Sequence, residues 1–83
     1  MEALVKKILE DIERYDGSNR AFSEIVNKFL ETGPSPDARV RQLARRFSTS
    51  LPTIRRWAKG QSAPHPLIRP TTLDEIRRIL TAP

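Results

Sequence analysis

The chain contains no cysteine, so disulfides and thiolate metal sites are excluded, and nothing in its composition calls for an oxidising compartment. It has one histidine, too few for a histidine-based metal site, and no metal ligand set is expected. No apolar run approaches the roughly 20 residues of a membrane span. The first residues, MEALVKKILEDIERY, alternate polar with apolar side chains and carry acids, unlike a secretory signal. Glycine is scarce, and no phosphate-cradling glycine loop occurs. With 83 residues the chain is read as one domain, 1–83, too small for a deep closed cleft. Glu10, Asp11, Glu13 and Asp16 are clustered on a solvated helix face, and Ser48 and Ser50 have no base beside them. No catalytic residue, cofactor, small-molecule ligand or membrane partner is expected; the protein is not read as an enzyme, and its expected location is the cytoplasm.

Charge is unevenly divided. Residues 1–36 carry five basic and seven acidic side chains, net −2, whereas residues 37–83 carry ten basic and three acidic, net +7. Nine of those ten are arginine, whose fork suits phosphate or guanine. From Arg39 to Lys59 there is no acid. A polyanionic partner for the second half follows, against the plainer reading of a solvated basic surface.

Apolar spacing of three and four predicts five helices and no strand. Leu4, Val5, Ile8, Leu9, Ile12 and Tyr15 form one stripe over Glu2–Tyr15, with Lys6–Glu10 and Glu10–Arg14 four apart and Asp16-Gly17 as the stop. A second stripe, Phe22, Ile25, Val26, Phe29 and Leu30, begins near Ser18 or Asn19 and ends at Thr32-Gly33-Pro34. Ser35 caps a third helix running to about Phe47, with Pro36 first and Asp37 at the positive end of the dipole. Ser48-Thr49-Ser50 is a turn, and Ser50 caps a fourth helix, Leu51–Lys59, closed by Gly60. Prolines 64, 66 and 70 stiffen the next segment into a loop that a helix is not expected to enter. The Thr72-Leu73-Asp74-Glu75 capping-box spacing then starts a fifth helix, Leu73–Leu80, with a frayed end at Ala82-Pro83.

The third and fourth helices, with Val40, Leu43, Ala44 and Phe47 before the break and Leu51, Ile54, Trp57 and Ala58 after it, must pack steeply across so short a turn, which is the helix-turn-helix shape. The stretch LARRFSTSLPTIRRWAKGQSAP, residues 43–64, resembles the DNA-binding core of the phage-repressor and Cro-like (XRE-type) helix-turn-helix family. Leu43, Ala44, Phe47, Ile54 and Trp57 match the interlocking positions. Ser48 departs from the family's glycine, which puts a left-handed serine in the turn, and Thr49 departs from an apolar residue. The resemblance covers about residues 19–80, with residues 1–17 as an extra N-terminal helix.

That resemblance implies an all-α five-helix bundle whose fourth helix enters the major groove of double-stranded DNA, with Leu51, Pro52, Thr53 and Arg56 at the base-reading positions. Arg56 alone can grip guanine O6 and N7 with two prongs. Arg39, Arg41, Arg55 and Lys59 are candidates for phosphate, while Arg45 and Arg46 are expected to face away. A small transcriptional regulator is expected, and a homodimer, because useful specificity needs two half-sites. Leu4, Val5, Ile79 and Leu80 are candidates for its interface. The alternatives are a helical protein-interaction module using the basic face, and an RNA-binding or recombination accessory protein.

Overall fold

The computed structural model describes residues 2–82. Five helices follow one another: α1 (Glu2–Glu13), α2 (Asn19–Leu30), α3 (Pro36–Arg46), α4 (Leu51–Lys59) and α5 (Arg69–Thr81). No strand occurs among the described residues. The apolar stripes determine the packing. α2 lies at the centre against α1, α3 and α4, and α5 closes the bundle over α1. Phe22, Ile25, Val26 and Phe29 of α2 meet Ile8 of α1, Val40 and Leu43 of α3, Ile54 of α4 and Ile76 of α5 in one buried core. Each such side chain contributes roughly 1.5–3 kcal/mol by leaving water. α1, which precedes the region of family resemblance, buries Ile8 and Ile12 in this same core.

The serine caps form as the sequence implies. Ser18, Ser35 and Ser50 each accept a hydrogen bond from the backbone N–H three residues on, at 3.0, 3.2 and 3.2 Å. α3 and α4 then end alike. Thr49 N–H donates to Ala44 O (2.9 Å) and Ser48 N–H to Arg45 O (3.3 Å); Gln61 N–H donates to Arg56 O (3.0 Å) and Gly60 N–H to Trp57 O (3.2 Å). This is the Schellman pattern, with its pivot residue left-handed. Gly60 adopts φ 76° at no steric cost, whereas Ser48 adopts φ 50° with a Cβ that crowds the backbone. Ser48→Gly relieves that crowding and gives back part of the gain as unfolded-chain entropy. It should stabilise the protein by about 0.5–1 kcal/mol and raise the melting temperature by about 3–6 °C. A lower melting temperature in a thermal scan would be incompatible with a left-handed turn at Ser48.

Three expectations need correction. α1 ends at Glu13 rather than Tyr15, since Tyr15 has turned to donate its hydroxyl to Ser18 O (3.2 Å) and to meet Phe22 edge-on. The anticipated Lys6–Glu10 and Glu10–Arg14 pairs are absent among the described residues. Asp11 instead pairs with Lys7 (3.2 Å) and, across to α2, with Lys28 (2.8 Å). Burial raises the Asp11 pKa, but the hydrogen bonds and charges of Lys28 and Lys7 outweigh it and hold the carboxyl below its ordinary value. The pair therefore contributes stability above the ordinary aspartate range, lost as pH falls through the lowered pKa.

The third correction concerns α5, which begins four residues before Leu73 and runs one past Leu80. Pro70 is no obstacle because it sits in the first turn, where its missing N–H has no intrahelical partner anyway. No capping box forms. Thr72 is fully buried inside the helix and donates its hydroxyl to Ile68 O (3.2 Å). What holds the start of α5 is Arg69, a buried arginine donating from Nε to Pro64 O (2.9 Å) and from Nη1 to Gly17 O (3.0 Å). It ties the α4–α5 loop to the α1–α2 turn. Ala82 has left the helix in an extended conformation; Pro83 lies outside the described residues.

Candidate nucleic-acid interface

α4 is amphipathic at helical period, and its two faces are sharply different. Inward, Ile54 is fully buried and Trp57 is 7% exposed, with its ring edge-on to Phe22 at 5.9 Å between centroids. Trp57 is thus a core residue, with no face free to stack on a base. Outward, Pro52, Arg55, Arg56 and Lys59 are exposed, and no acid interrupts them within the helix. Leu51 and Thr53 are half-buried at the sides. A helix of nine residues is roughly 13 Å long, against a major groove roughly 12 Å wide.

The candidate side chains fare differently. Arg56 and Lys59 have no ion pair among the described residues and project freely. Arg55 donates from Nη2 to Asp37 Oδ1 (2.9 Å), both groups exposed, linking α4 to the first turn of α3. Screening by water leaves such a pair worth less than about 1 kcal/mol, so Arg55 is positioned rather than locked. The Thr53 hydroxyl is shared with Ser50 Oγ (2.8 Å), where either group can donate. Arg41 is exposed and lies beside Arg45 over the groove between α3 and α5.

Arg39 stands apart from the other phosphate candidates. Its guanidinium lies 4.8 Å from the centre of the Phe29 ring, donates from Nε to Thr32 Oγ1 (3.1 Å), and donates from Nη1 to Gln42 Oε1 (2.8 Å). Burial lowers its pKa from the ordinary arginine value. Gly33 makes room for it, since a Cβ there would approach Arg39 Cγ to 2.8 Å. Arg39 is thus engaged within the fold and is not grouped with Arg56 and Lys59. Arg46 is likewise engaged, pairing with Glu75 of α5, which also pairs with Arg78 at 3.0 Å.

Sequence reasoning did not anticipate the Asp37–Arg55 contact, because eighteen residues separate the partners and no local spacing connects them. Nor did it single out Leu67 and Ile68, which are 79% and 47% exposed in the turn before α5. The apolar residues proposed for a subunit interface are only partly available: Leu4, Ile79 and Leu80 are half-buried against the core, with Ile79 also lining the groove between α3 and α5, and Val5 is half-buried. Among the described residues no helix is long and apolar enough to cross a membrane, and no acidic or histidine cluster could hold a metal. Comparison with family models, with curated proteins and with solved structures gives no match to this chain.

Proposed function

We propose that α3 and α4 act as a helix-turn-helix that docks on double-stranded DNA and reads its sequence, and that the protein is a small transcriptional regulator. One observation carries this reading: the exposed face of α4, which has no acid of its own and bears Arg56 and Lys59 without an ion pair among the described residues, is set on a helix anchored from behind by Ile54 and Trp57. A rigid anchored helix with unpaired cations is pre-organised for a polyanion, since little is lost in ordering it. In this reading Arg56 grips guanine, Leu51 and Pro52 touch thymine methyls, and Thr53 offers its hydroxyl to a base edge. Arg55 and Lys59 take phosphates; Arg41, which stands over the groove between α3 and α5, is left out of the contact set. Arg39 is left out of the contact set because its guanidinium is already engaged. One such helix reads few base pairs, so two copies on two half-sites are expected.

Selection from a random duplex library at two salt concentrations tests the proposal. Enrichment of one motif, with affinity falling steeply as salt rises, supports it; no enrichment, or equal binding to single-stranded RNA, overturns it. Lys59→Ala should flatten the logarithmic salt slope by about one unit while leaving the selected motif unchanged. An unaltered slope takes Lys59 off the interface. The rival reading, a basic face docking an acidic protein, differs in that duplex DNA would not compete for the site.

A further inference from the structure

The α4 face leaves most of the arginines in the second half unexplained, and several converge elsewhere. Between α3 and α5 runs an open groove of about 550 Å³. Arg41 and Arg45, one helical turn apart on α3, stand along one wall; Ala38 and the half-buried Ile79 supply apolar surface. Arg41 and Arg45 are exposed and have no ion pair among the described residues. The one acid in the groove, Glu75, is paired with both Arg46 and Arg78. No residue of α4 lines the groove, so it is a surface distinct from the one assigned to DNA.

We infer that this groove is a docking site for an acidic amphipathic helix of a partner protein. Carboxylates one turn apart on such a helix match Arg41 and Arg45, whose planar forks favour paired oxygens over water. An apolar side chain between those carboxylates covers Ile79 and Ala38, the arrangement of a helix laid in a groove. The apolar floor distinguishes this occupant from nucleic acid: a phosphate backbone has nothing to bury on Ile79 and Ala38. The site stands independently of the DNA reading, because it uses neither Arg56 nor Lys59.

The test titrates the whole protein with a fluorescent helix-forming peptide of about four turns, leucine on one face and glutamate on the other. The control peptide carries serine in place of leucine, and a duplex DNA oligonucleotide forms a third arm. The leucine peptide should bind, shifting the backbone amide resonances of Arg45 and Ile79 and sparing that of Arg56, while the serine peptide binds at least about tenfold more weakly. Arg45→Glu, at an exposed and unpaired position, should keep the helical circular dichroism and weaken the leucine peptide by about tenfold. Equal binding of both peptides reduces the site to general charge attraction and overturns the inference. So does an unaffected Arg45→Glu variant, an absence of shifts at Arg45 and Ile79, or a DNA titration that shifts those same two amides.

Discussion

Ile54→Asp should abolish the folded state at neutral pH, seen as loss of helical circular dichroism and collapse of amide dispersion at room temperature. Ile54 is fully buried and, with Trp57, is one of the two buried side chains of α4. Its removal forfeits the transfer and packing free energy of a large core side chain, about 2–5 kcal/mol. The incoming carboxylate must then be ionised without a partner or protonated at a cost, which adds several kcal/mol more. Small domains hold only about 5–15 kcal/mol in all, and one of this length lies toward the lower end. Ile54→Val is the proportionate control and should cost about 0.5–1.5 kcal/mol while staying folded. A folded Ile54→Asp protein would mean that α4 is rolled about its axis, and the outward face with Arg56 would be wrong with it.

The residues most legible in the sequence are those whose role is local. Ser18, Ser35 and Ser50 cap helices because a short hydroxyl side chain in extended backbone reaches an N–H three residues ahead, a relation written entirely in neighbouring positions. The inward direction of Ile54 and Trp57 follows from period alone. Legibility ends where a side chain's partner is distant in sequence or is plain backbone. Arg69 satisfies two carbonyl oxygens, at Pro64 and Gly17, and a carbonyl has no letter in a sequence. Pro70 was misleading for a related reason: it excludes a helix interior but not a first turn, and only the burial of Leu73 and Thr72 against the core settles which of the two it occupies. In the same way, eight arginines between Arg39 and Arg78 excluding Arg69 look alike as letters, yet Arg39, Arg46, Arg55 and Arg78 have partners while Arg41, Arg45 and Arg56 are without an ion pair among the described residues. Composition gives the second half its positive charge; only tertiary structure decides which of its cations are left free.

Arg56→Ala should therefore weaken binding to the selected duplex by about 1–3 kcal/mol and relax preference at a single base pair. Thermal stability should be nearly unchanged, because no hydrogen bond or ion pair within the fold involves the Arg56 side chain among the described residues. That separation is what makes the position informative: affinity moves while folding does not. Truncation alone leaves one ambiguity, since it removes both the charge and the fork. Arg56→Lys resolves it by keeping the charge and discarding the planar pair of donors. If Arg56 reads guanine, the lysine variant retains the salt slope of the parent yet loses most of the preference at that base pair. If instead Arg56 serves a phosphate, the lysine variant binds nearly as well as the parent on every duplex, and the alanine variant weakens all of them alike with a slope reduced by about one unit. Arg55 supplies the internal comparison, one residue away on the same exposed face but already directed toward Asp37. Its replacement by alanine should lower affinity uniformly and leave the selected motif intact, so that base preference, if it resides in α4, follows the unpaired arginine and not merely the presence of positive charge.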